Sequence, residues 1–197
     1  MPLLLAILAG LLVGLAYARR QGRAYQIPGL GAPGLAFVAF LPQFFAFYLP
    51  ATRLYIPDSL AAASLLTSQI LLLLFAWLNR RLAGMALLLA GLACNLIVIA
   101  ANGGFMPISP QTASRLVPPT AVQSMALGSR FGAGKDILLL PQDTRLECLA
   151  DRFLLPEGFP YQVAFSLGDI FIALGAFWLF ARQGTPPRLR YQRVSDS

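Results

Sequence analysis

The sequence predicts an all-α, polytopic membrane bundle of about five transmembrane helices, N-terminus outside and C-terminus inside, with an ordered outer loop of short helices. Three observations predict it. The chain is 57% hydrophobic and 12% charged over 197 residues, where a soluble domain carries about 25% charged residues. Its apolar residues lie in long blocks rather than in amphipathic or alternating patterns. Its Arg residues gather at alternate block ends, as the positive-inside bias requires.

The first block runs from Pro2 to about Ala18 and stops at Arg19 and Arg20. No basic residue precedes it, so it reads as a retained helix rather than a secretory leader, despite the Ala16-Tyr17-Ala18 triplet. Gly10 and Gly14 form a pair that lets a neighbouring helix approach closely. The second block, 34–49, carries Pro42 inside it and should kink there. The third, 60–78, ends in Asn79-Arg80-Arg81. The fourth, 82–101, follows almost at once, so the pair forms a hairpin. The fifth spans 161–181, and a basic tail, 182–197, follows. Residues 1–181 thus read as a single membrane domain.

With the N-terminus outside, nine basic residues fall inside (Arg19, Arg20, Arg23, Arg80, Arg81, Arg182, Arg188, Arg190 and Arg193) against Asp196. The outer side balances six against six, its acids being Asp58, Asp136, Asp143, Glu147, Asp151 and Glu157. The net charge of +7 is therefore a topological signal, not a nucleic-acid footprint. Tyr17, Trp77 and Trp178 fall near inner helix ends, and Tyr48 and Tyr161 near outer ones.

The outer loop, 102–160, is long and mixed in composition, and so is expected to be ordered. Ser109-Pro110 suits a helix start, ending before Pro118-Pro119. A second short helix fits Pro119–Leu127, and Asp143 or Thr144 is expected to cap a third through Asp151. Ile137 to Leu140 is an apolar run for the bundle or membrane surface. Asn102-Gly103-Gly104-Phe105-Met106-Pro107 reads either as a helix terminator or as a turn re-entering the outer leaflet.

Chemistry is sparse. There are no histidines and two cysteines, Cys94 and Cys148, at different depths. This removes the commonest metal ligand and any His-based triad. No cofactor motif is present. Gly128 to Asp136 imitates a phosphate loop but has the wrong spacing, and Asp136 stands where Ser or Thr is required. Asp143, Glu147 and Asp151 at four-residue spacing read as a weak cation site or, more simply, a solvated helix face.

Asp169 is the one ionisable residue within a predicted span, and such a residue costs about 2.5–3.5 kcal/mol to insert. It shares a predicted helix face with Gln162, Ser166, Ala173 and Ala176, roughly 12 Å from the outer end at 1.5 Å per residue. Asn95, Gln69 and Gln43 fall at comparable depths on three other helices, with Asn102 at the outer end. The set forms either interhelical hydrogen bonds or a polar pocket open to the outside, with Lys135 and Arg145 as outer-loop candidates.

Several segments together resemble an uncharacterised bacterial membrane-protein family, a domain-of-unknown-function family. They are Asn95-Leu96, Val98-Ile99, Asn102 to Pro107, Trp77 to Arg81, the Lys135 segment with Leu138 to Leu140, Thr144-Arg145-Leu146 and Ser166-Leu167-Gly168-Asp169. The likeness runs from the first helix to about Ala181. It implies a five-helix protein of a bacterial cytoplasmic membrane and brings no activity, substrate or cofactor. That family often has His after the lysine, where this chain has Asp136. The expected role is a non-enzymatic accessory or scaffold subunit whose partners are the lipid bilayer and other membrane proteins. The alternative is an outward-open solute or lipid binding protein or transporter centred on Asp169.

Overall fold

A computed structural model of the chain describes residues 2–156, 158–159 and 161–182. The expected basic tail beyond Arg182 and the outer acid Glu157 lie outside the described residues. The structure is mostly helical. Helix α1 is Pro2–Arg20, and α2 is Pro33–Gln43, extended by a π-helical turn, Phe44–Tyr48. The turn follows Pro42, which lacks an amide donor, and Leu49 N–H closes it on the Phe44 carbonyl at 3.0 Å. A single turn, α3 (Pro50–Arg53), leads to α4 (Asp58–Leu78) and α5 (Met85–Ala101). α5 starts later than the predicted Leu82, because Gly84 holds a φ of +83° in the preceding turn.

α5 ends at Asn102, where Gly103 and Gly104 take positive φ and the Gly104 N–H reaches back to the Ile99 carbonyl at 2.9 Å. That is the closure of a glycine-terminated helix. The chain then enters a cap, 102–166, that corrects the all-helical expectation. Its apolar runs form strands: β1 (Met106–Ile108) pairs in parallel with β2 (Asp136–Leu138), with Met106 opposite Asp136. Between them lie α6 (Pro110–Ala113) and α7 (Pro119–Gln123). Ser109 caps α6 as expected, its Oγ accepting from the Thr112 amide at 3.1 Å. α7 stops at Gln123, short of the predicted Leu127. The expected helix through Asp151 is absent. Two 3-10 turns, Pro141–Asp143 and Glu147–Leu149, are separated by Leu146 in the left-handed region, so Asp143, Glu147 and Asp151 share no helix face. Last, β3 (Phe153–Leu154) pairs antiparallel with β4 (Ala164–Phe165).

The final helix, α8, is Leu167–Ala181. It begins six residues after the predicted Tyr161, because Ala164 and Phe165 are held by β3 and Ser166 caps the helix.

Neighbouring helices pack in the lateral order α1, α8, α5, α4, α2. α8 lies between α1 and α5 and touches both through glycine. A Cβ on Gly10 would stand 2.5 Å from the Phe177 carbonyl oxygen, and one on Gly175 would stand 2.7 Å from the Gly84 carbonyl oxygen. The Gly10/Gly14 pair therefore does serve close approach. At the cap end, Leu65, Val98 and Ile99 pack with Phe105 and Met106; at the opposite end, Ala76, Met85, Leu92 and Leu179 form a second cluster. Ile108, Ala113, Val122 and Leu138 give the cap a core of its own. Helices α1 and α4 are long and apolar enough to cross a membrane; α2 with its π turn, α5 and α8 are shorter apolar helices.

Candidate functional site

Of the polar residues singled out in the sequence, Asn95, Ser166 and Asp169 meet where the cap sits on α5 and α8. Ser166 is the N-cap of α8 and Asp169 its third residue, so the two form a capping box. Ser166 Oγ accepts from the Asp169 amide at 3.0 Å, and Asp169 Oδ2 accepts from the Ser166 amide at 3.1 Å. Asn95, on α5, closes a ring: its Nδ2 donates to Asp169 Oδ1 at 2.9 Å, and its Oδ1 accepts from Ser166 Oγ at 2.9 Å. Asp169 therefore lies in the first helical turn, not mid-helix as expected, because the chain before Ser166 is extended. Gln162, expected on the same face, is exposed outside the helix.

Asn102 works in the same way one turn above Val98. Its Nδ2 donates to the carbonyls of Val98 and Arg145, both at 2.8 Å, and its Oδ1 accepts from the Arg145 amide at 3.0 Å. A single asparagine thus pairs with the Arg145 backbone as a strand neighbour would. The Arg145 residue itself is exposed, so its contribution comes through the main chain. Gln69 is buried in α4, where its Oε1 has no hydrogen-bond partner, and Gln43 is half-buried on α2.

Lys135 supplies the charge. Its Nζ lies 2.7 Å from Asp136 Oδ1 and 2.6 Å from Asp151 Oδ2. Asp151 is 1% exposed and its other oxygen, Oδ1, has no partner. The backbone around Asp151 docks on β1, its amide donating to the Pro107 carbonyl at 3.0 Å. Burial raises the Asp151 carboxyl, Lys135 lowers it, and the carboxylates of Asp136 and Asp169 raise it again, leaving it at about 7. For Lys135, burial works against the charge, but Asp136, Asp151 and Asp169 outweigh it and push its pKa well above the usual lysine range. Two carboxyl groups therefore share one ammonium, with the Asp169 charge adding to its field. Such an arrangement takes up a proton near neutral pH.

Two contributors escaped sequence reasoning. Asp151 read as one of a row of solvated acids; its signal was the apolar Leu149-Ala150 beside it. Asn79 read as part of a basic turn, yet it is buried and clips the Gly31 backbone to the end of α4, accepting from the Gly31 amide at 2.6 Å.

Residues 29–181 match a family described as a family of unknown function, DUF5317. The chain belongs to this family. The match covers α2 through α8 and so every residue of the polar cluster. No curated protein and no solved structure matches the chain.

Proposed function

We propose that this member of the DUF5317 family is a five-span protein of a bacterial cytoplasmic membrane, N-out and C-in, and acts as a non-enzymatic scaffold subunit that packs against other membrane proteins. One observation carries the reading: the helices leave many large apolar side chains exposed while several polar side chains are buried among them. Leu4, Leu8, Leu12, Phe37, Ile70 and Ile97 are among the exposed side chains, while Ser68, Gln69, Asn79, Asn95, Asn102 and Ser166 are buried. A soluble domain avoids such an exterior, whereas lipid favours it. The seating of α1 on α8 through Gly10 and Gly14 supports its retention as a span. α5 and α8, at about 26 and 22 Å by the usual rise per residue, are shorter than a hydrocarbon core of ~30 Å. For α5, buried backbone supplies the difference, since every residue from Gly104 to Ile108 is covered by protein. Arg19 and Arg20 at the end of α1 and Arg80 and Arg81 in the α4–α5 turn then fall on the inner side.

The scaffold role draws on the ring of Asn95, Ser166 and Asp169, whose groups answer one another and fasten α5 to the start of α8. A mild-detergent pull-down from the host's own membranes should recover stoichiometric partner proteins. Migration at monomer mass on a blue-native gel would contradict the role. The rival, an outward-open binding protein centred on Asp169, draws on the unpartnered Asp151 Oδ1 beside it. Asp169→Asn should then alter ligand binding at unchanged expression, and unaltered binding would end that reading.

A further inference from the structure

The opposite end of the molecule carries a groove that the polar cluster does not explain. It is an open depression of about 580 Å³ between α4 and α5, lined by Ile70, Leu74 and Trp77 on one side and Leu89, Ala90 and Ala93 on the other. Ile70, Leu74 and Trp77 are 54%, 45% and 55% exposed, so their apolar faces look outward. Ala90 and Ala93 make the floor shallow on the α5 side. From Ile70 to Trp77 the groove rises roughly 10 Å along the helix, reaching toward the middle of a hydrocarbon core ~30 Å thick.

The end of the groove is charged with one sign. The Arg80 guanidinium stacks 4.7 Å from the centre of the Trp77 ring and donates to the Trp77 carbonyl at 3.1 Å, so it is held at the groove mouth. Arg81 is exposed beside it in the same turn. No Asp or Glu occurs anywhere between Asp58 and Asp136. Among the described residues neither arginine pairs with a carboxylate. An apolar groove ending in an aromatic ring and two guanidiniums that meet no carboxylate among the described residues complements one kind of molecule. Its tail fills the channel, and its phosphate meets the arginines, whose planar forks match phosphate oxygens.

We propose that the α4–α5 groove binds an anionic phospholipid of the inner leaflet, acyl chain along Leu74 and Ala90 and headgroup phosphate on Arg80 and Arg81. This rests on the membrane orientation given above. A second copy of the chain or a partner helix would use the apolar channel but would leave the arginines without an anion.

Native mass spectrometry of the detergent-purified chain, supplied with phosphatidylglycerol or phosphatidylcholine, tests the site. The wild type should retain one phosphatidylglycerol about tenfold more readily than phosphatidylcholine, as basic clusters at the inner surface favour anionic lipid. Arg80→Gln should abolish that preference. Ala90→Phe, which fills the channel and leaves the charges in place, should weaken retention of both lipids. Equal retention of the two lipids by the wild type, indifference to both variants, or a dimer in place of the lipid adduct would each overturn the proposal. Alkaline extraction of membranes, run on every variant, reports separately on insertion: an extractable chain overturns the membrane reading, whereas an inserted chain without lipid preference overturns only the groove.

Discussion

Asp151 is where single-residue chemistry has most to say. Its carboxyl stands at about 7, against about 3.9 in an unfolded chain. The folded state therefore holds this proton more tightly than the unfolded state does. Stability from the group is fully present below about pH 4 and is lost as pH climbs through about 7. The thermal midpoint of the purified chain should accordingly fall by a few degrees between pH 5 and pH 8. Asp151→Asn, which keeps the shape and fixes the neutral state, should flatten that dependence; an unchanged slope would assign the titration elsewhere. Ser166→Ala belongs to the same scale. It removes a helix cap worth about 1 kcal/mol and leaves the buried Asn95 Oδ1 without its donor, at a further ~1–3 kcal/mol. Urea or thermal unfolding in detergent should show a loss of that order, while the equally buried Ser68, bonded to the Ala39 carbonyl on another helix pair, provides a comparison outside the ring. The sequence made Asp169, Ser166 and Asn95 legible because polar residues in an apolar run are conspicuous. It hid Asp151 and its tie to Lys135, which come together from 16 residues apart once β1 and β2 pair.

At the scale of elements, glycine sets how α8 fits. A Cβ on Gly168 would collide with the Asn95 side chain and lie 2.7 Å from the Gly91 carbonyl oxygen. Gly168→Ala should thus destabilise the chain by about 1–3 kcal/mol and disturb the Asn95 ring together with the helix contact. Gly34→Ala, with nothing within 4 Å of the added carbon, should be neutral in the same assay. A loss at Gly34 equal to that at Gly168 would show that helix contact is not the cause. Helix blocks are legible in sequence because long apolar runs end at arginines, glycines or prolines. The strands are not. β1 and β2 are three residues each, and their pairing joins segments thirty residues apart (Met106 with Asp136). The late start of α8 escapes for a related reason: Val163 to Phe165 are apolar enough for a helix, and pairing of Ala164 and Phe165 with β3 holds the chain extended there. The row of Asp143, Glu147 and Asp151 misleads because Leu146 breaks the helical period with a φ of +57°.

For the whole molecule, the proposed membrane reading draws on the exterior. Five apolar helices in the order α1, α8, α5, α4, α2 leave leucine, isoleucine and phenylalanine outside and bury Asn95, Asn102 and Ser166 at the cap end. The apolar blocks and the asymmetry of arginine can be read from sequence because they depend on composition. The fastening of cap to bundle cannot, because it depends on which backbone carbonyl Asn102 meets. The two free cysteines offer a direct test of where the cap lies. Cys148 is exposed in the cap, and Cys94 is half-buried on α5. In intact spheroplasts, a membrane-impermeant maleimide should label the chain at Cys148 and not at Cys94, and Cys148→Ser should remove the signal. Labelling that appears only after the membrane is permeabilised, or a chain recovered in the soluble fraction, would contradict a membrane bundle with its cap outside.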